Sequence, residues 1–119
     1  MYTTRIYPPS MPLDTRKFNS LTEGKNTYRE ELLYLYFLNC EECLAVMERN
    51  IYADTGKLWH YALDEIKNVS YRIGADEISK TCTSLEGSGM FSAEERRKAW
   101  LEIKNHIQRL RAFVRNTGY

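Results

Sequence analysis

The chain reads as all-α: an antiparallel up-down four-helix bundle with a short extra helix at its N-terminal end. Three observations predict this. Apolar residues recur at spacings of three and four through four long segments. Each segment is bounded by cap or break residues and joined to the next by a short connection. No segment alternates with the period of two that a half-buried strand requires. Amphipathic helices on short connections return antiparallel and bury their apolar stripes against one another.

The bulk numbers fit one soluble domain. The chain has 119 residues, 43% hydrophobic and 28% charged, enough for a single core. A formal net charge of +1 provides no global field toward nucleic acid or an anionic membrane, so neither is an expected partner. No apolar run is long enough to span a bilayer, and the first residues lack the apolar core of a secretory signal, so a cytoplasmic location is expected. Three cysteines, an odd number, argue against a disulfide framework. Cys40 and Cys43 form a C-x-x-C, but no second Cys or His pair at zinc spacing follows. Both lie inside a helical apolar pattern and read as core packing. No metal and no cofactor is expected.

Taken in order, residues 1–12 form an extended arm, since Pro8, Pro9 and Pro12 disfavour regular structure; Tyr2, Ile6 or Tyr7 could pin it. The domain proper is 13–119. Residues 13–21 make a short helix opened by Asp14 and ended before Gly24. Thr27 and Glu30 have capping-box spacing for a long helix over 28–50. There Leu33, Phe37, Cys40, Leu44 and Met47 form the core stripe. Tyr34 and Leu38 widen it on one side, Tyr36 and Cys43 on the other, and Leu35 and Val46 are apolar towards the back. That breadth exceeds what one core face needs, so the N-terminal helix, the arm or another protein must cover the excess.

Asp54-Thr55-Gly56 is a turn that opens a helix over 57–73, and Gly74-Ala75 ends it. Asp76 starts the next helix, with Ile78, Cys82 and Leu85 facing inward; Gly87-Ser88-Gly89 stops it, and Met90 and Phe91 are expected to plug the bundle end. Ser92 with Glu95 is a second capping box. It opens a last helix whose inner stripe is Trp100, Ile103, Ile107, Leu110 and Val114, with His106 at the stripe's edge. Arg109, Arg111 and Arg115 suit its negative end.

The 57–73 helix carries the candidate site. At about 100° per residue, Trp59, Ala62, Leu63, Ile66, Ser70 and Ile73 share one side. His60, Asp64, Lys67 and Tyr71 line a flank well away from it. Asp64 is spaced to pair with Lys67 or Arg72, a contact contributing only about 0.3–0.5 kcal/mol when exposed. A solvated helix position is the plain chemical reading of Asp64. No nucleophile–base pair with an orienting third group and no glycine-rich phosphate loop is visible, so an enzyme is not expected.

The same stretch resembles the signature of histidine-containing phosphotransfer (HPt) domains, approximately H-x-L-K-G-x-S-x-x-x-G-A followed by a hydrophobic residue, a small Cys-like position and L-E. Ile66, Lys67, Ser70, Gly74, Ala75, Ile78, Cys82, Leu85 and Glu86 sit in register without a gap, and the resemblance covers roughly residues 13–115. It departs at two positions: the phosphoacceptor histidine is Asp64, and the glycine after the lysine is Asn68. The resemblance implies a four-helix bundle, and a partner that is a response-regulator receiver domain or a histidine kinase. It also implies a partner-binding flank of His60, Asp64, Lys67, Asn68 and Tyr71, with Lys67 placed to meet the receiver's acidic site. A carboxylate is a poor substitute for a neutral imidazole as phosphoryl acceptor. The expected function is therefore a phosphorelay adaptor or competitor that does not transfer and that binds its partner through the 60–71 flank and the apolar surface of the 28–50 helix. Two alternatives stay open: transfer through His60, one turn before Asp64, and a structural or oligomeric helical module outside phosphorelays. The sequence leaves the oligomeric state open.

Overall fold

A computed structural model gives the protein's structure and describes residues 11–88 and 92–118. Residues 1–10 of the expected arm over 1–12, and the plug by Met90 and Phe91, lie outside the described residues. Within them the chain is all-helical, with no strand: α1 (Thr15–Thr22), α2 (Asn26–Arg49), α3 (Lys57–Ile73), α4 (Asp76–Gly87) and α5 (Ala93–Thr117).

Local chemistry sets most boundaries. The Asp14 carboxylate accepts from the N–H groups of Arg16 and Lys17 at 3.1 and 3.2 Å and so opens α1. Gly74, at φ 90°, ends α3 in the left-handed conformation, and the N–H of Ala75 returns to the Ser70 carbonyl at 2.8 Å. The N–H of Asp14 donates to the Gly74 carbonyl at 2.7 Å, which ties the start of α1 to the α3–α4 turn. The Ser92–Glu95 capping box forms with both of its bonds, at 2.8 and 3.1 Å.

The capping box expected at Thr27 does not form. α2 begins at Asn26, behind Lys25, which makes no side-chain cap, and this places Thr27 inside the first turn. The cause is the tight exit from α1. Glu23 (φ 55°) and Gly24 (φ 68°) are both left-handed, and the N–H of Lys25 bonds back to Thr22 at 3.0 Å. Arg29 then clamps the turn through the Gly24 carbonyl at 2.9 Å and Asn26 Oδ1 at 3.0 Å. The chain is helical before the Thr27 side chain could act.

Cross-helix pairs define the packing. Tyr36 and Ser70 share a buried hydrogen bond of 2.7 Å, and Asn39 donates to Glu65 at 3.3 Å, so α2 and α3 run in opposite directions. Lys67 meets Glu86 across α3 and α4 at 2.7 Å. Glu77 receives His106 and Arg109, each at 3.1 Å, across α4 and α5. Trp100 Nε1 donates to the Leu44 carbonyl at 3.0 Å and Arg111 meets Glu41 at 2.7 Å, joining α5 to α2. Between these contacts lies one core, with Met47, Trp59, Leu63, Ile66, Ile78, Ile103 and Leu110 fully buried. Each such side chain contributes about 1.5–3 kcal/mol of burial. Leu13 and Phe18 insert α1 into the same core.

The broad stripe of α2 divides. Leu33, Phe37, Cys40 and Met47 are buried, with Tyr36 and Cys43 extending the core on one side, whereas Leu44 is only partly buried. Tyr34, Leu35 and Leu38 remain exposed, so α1 covers only part of the excess. On α5, Trp100 and Val114 are partly buried, and Ala99 and Arg96 take core positions instead.

Candidate functional site

The α3 flank is positioned by what holds α3 at its two ends. Gly56 precedes the helix at φ 64°, the Thr55 hydroxyl accepts from the N–H of Lys57 at 3.3 Å, and the Gly74 turn closes the other end. Between them Trp59, Leu63, Ile66 and Ile73 face the core, which leaves the flank on the shoulder of α3 turned toward α4.

Asp64 stands on that shoulder with 51% of its side chain exposed. One carboxylate oxygen lies 3.0 Å from Lys67 Nζ and the other accepts from Asn68 Nδ2 at 3.3 Å. Lys67 also reaches Glu86 on α4 at 2.7 Å, so a single ammonium bridges two carboxylates. Hydrogen bonding to Glu86, then to Asp64, raises the Lys67 pKa to about 12. The Lys67 ammonium in turn holds Asp64 below the ordinary carboxylate range. The alternative pairing of Asp64 with Arg72 is not the one formed, because Arg72 points to the other shoulder of α3 and lines a groove there.

The remaining predicted residues bracket this bridge. His60 is half-buried, its ring edge-on to Trp59 with centroids 5.0 Å apart. Burial lowers its pKa below the usual value, and the positive charge of Arg96 adds to the effect. Tyr71 is 62% exposed at the far end, and Lys17 of α1 sits over its ring, 3.7 Å from the centroid. The structure thus gathers His60, Asp64, Lys67, Asn68 and Tyr71 along one helix and adds two residues to them, Glu86 and Lys17. Glu86 was visible only as a register match. Lys17 carries no sequence signal, since its place depends on how α1 crosses α3. His106 lies elsewhere, on the α4–α5 seam with Glu77.

A second surface occupies the opposite shoulder of α3. A groove of about 670 Å³ runs between α1, α2 and α3, floored by Leu32, Val69 and Ile73 and edged by Leu21, Tyr28 and Leu35. Asn39 and Glu65 close the α2–α3 seam on this side. The three thiols are buried: burial pushes Cys40 and Cys82 up to about 12 and Cys43 to about 11. Among the described residues no group of His, Cys, Asp and Glu could hold a metal ion, and no helix is long and apolar enough to cross a membrane.

Comparison with protein-family models, with curated proteins and with solved structures finds no match to this chain.

Proposed function

We propose that this protein is an HPt-like adaptor of phosphorelay signalling in which α2–α5 form an up-down four-helix bundle and the acceptor position has lost its imidazole. The observation that carries this reading is Asp64, which stands half-exposed in mid-helix on the α3 flank, in register with the phosphoacceptor of the signature it resembles. The opposed directions of α2 and α3 and of α2 and α5, each given by two cross-helix pairs, support the bundle.

The partner is a receiver domain or a histidine kinase, which the adaptor binds without accepting the phosphoryl group. Asp64, Asn68 and Tyr71 make the contact, with Lys17 at its basic end and His60 at the other. Lys67 serves mainly to hold the surface in shape, because Asp64 and Glu86 already neutralise its charge. The apolar surface of α2, which could have joined this contact, lies across α3 on the other shoulder, so the flank is assigned the partner by itself.

The test is a binding screen against receivers and kinases of the same genome, with transfer from phosphorylated receivers assayed in parallel. The expected result is binding without label on the wild-type chain, weakened by Tyr71→Glu. Acid-labile, base-stable label on His60 would replace the adaptor with an active carrier. An absence of any receiver or kinase partner would remove the phosphorelay reading.

A further inference from the structure

Large exposed apolar side chains are distributed unevenly. Among the described residues α4 and α5 expose only Leu101, whereas α1, α2 and α3 expose Leu21, Tyr28, Leu35, Leu38, Leu58 and Tyr61, besides Tyr34 and Tyr71. The first six lie on the groove side of the molecule. Leu21, Tyr28 and Leu35 edge the groove itself. Leu38 follows Leu35 by one turn along the outer face of α2, and Leu58 and Tyr61 share the α3 shoulder that carries Glu65 and Arg72. The α2–α3 pair therefore presents an apolar face along most of its length, and α1 covers only one end of the molecule.

We infer that this face is where two copies of the chain meet about a two-fold axis. Area is the first argument. The six side chains are 42% to 75% exposed. With large side chains contributing roughly 150–200 Å² each, they offer on the order of 600 Å² before any polar neighbour is counted. One partner's share of a standard stable interface is about 800 Å². Charge is the second argument. Arg72 and Glu31 both line the groove, and neither has an oppositely charged partner within 4 Å among the described residues. In a two-fold contact residue i of one copy meets j of the other and j meets i, so Arg72 and Glu31 can satisfy each other twice. The polar pair at the middle of the face, Asn39 with Glu65, is already bonded within the chain and needs no partner from outside. The inference does not depend on the phosphorelay reading, which uses the side of α3 turned toward α4; of the six side chains Tyr61, two turns from Asn68, borders that side.

Sedimentation velocity and light scattering on the full chain, from micromolar to sub-millimolar concentration, test it. The expected mass rises from 14.0 kDa to a plateau at twice that value. Leu35→Glu and Tyr61→Glu should each hold the chain monomeric, with circular dichroism unchanged and a melting temperature equal to that of the wild-type chain diluted to monomer, because both positions are exposed. Leu101→Glu, on the far side, should leave the dimer intact. A mass fixed at 14.0 kDa throughout overturns the inference, as does a rise without a plateau, or dissociation by Leu101→Glu equal to that by Leu35→Glu. A monomer whose Leu35→Glu variant loses a receiver or kinase partner would assign the face to that partner and overturn self-association while leaving the signalling role in place.

Discussion

The guanidinium of Arg96 lies directly against Gly56, so that a β-carbon at position 56 would stand 2.7 Å from its terminal nitrogen. Arg96 enters from the first turn of α5 and is 6% exposed; its Nη1 donates to the carbonyls of Ile51 and Ala53 at 2.8 Å and of Asn50 at 3.3 Å. One side chain thereby closes the α2–α3 connection and fixes where α3 begins. Gly56→Ala both crowds this guanidinium and forces a side chain into a left-handed backbone (φ 64°), and should destabilise the fold by about 1–3 kcal/mol. Arg96→Met keeps the volume but takes the donor from the Ile51 and Ala53 carbonyls, while that of Asn50 keeps the Ala53 N–H at 3.3 Å, at about 2–4 kcal/mol. Urea unfolding followed by circular dichroism measures both. If the two losses are felt through one contact, the double variant will lose less than their sum.

Arg96 also shows where the sequence stops being informative. In the run Glu94-Glu95-Arg96-Arg97-Lys98 it looks like one more solvated charge at a helix start, and only the packing of α5 beneath the α2–α3 connection makes it a core residue. Features decided within a few residues were readable: the Asp14 cap, the Ser92 box, the limits of α3, and the inward faces of α3 and α4. Thr27 and Glu30 carry the same letters as a working box and fail, because the turn ahead of them had already set the helix start. The candidate flank was readable as a helix face, since angular spacing places His60, Asp64, Lys67 and Tyr71 together. Its partners Glu86 and Lys17 were not, because the registry between helices distant in sequence is written in no local pattern.

The thiols offer a test of the core. Cys40, Cys43 and Cys82 are buried and their pKa values are raised by that burial, so at neutral pH little thiolate is present and little of it is accessible. A disulfide reagent at pH 8 should titrate fewer than one thiol per native chain within minutes and all three in denaturant. Rapid reaction of Cys40 and Cys43 in the native state, with formation of a bond between them, would restore a redox role to the C-x-x-C.

His60 makes stability depend on pH with a defined sign. Its pKa is lowered in the folded state, so the unfolded chain binds the proton more readily. Stability is then greatest above the unfolded value of about 6.5 and declines as pH falls through it, levelling off below the folded value. His60→Gln should flatten this part of the stability–pH curve, measured as urea midpoints between pH 5 and pH 8. An unchanged slope would mean that a group other than His60 governs the window.

Placing an imidazole at residue 64 tests the proposed register of α3 itself. Asp64→His places a nucleophile that is largely neutral near pH 7 on an exposed mid-helix position, with Lys67 one turn away. If the flank has the geometry of a phosphotransfer surface, this variant should take acid-labile label from a phosphorylated receiver that the wild-type chain binds without accepting. Lys67 would remain tied to Glu86 at 2.7 Å and would offer the incoming phosphoryl group only part of its charge. Glu86→Gln in the same chain frees that ammonium. An ammonium within about 4 Å of the transferring group contributes on the order of 1 kcal/mol in a water-exposed setting, so labelling should speed up several-fold. The expected order of labelling rates is the double variant, then Asp64→His, then a wild-type chain that takes no label. Receiver binding with no label on either variant would mean that residue 64 stands away from the receiver's aspartate and that the partner docks on some other part of the flank.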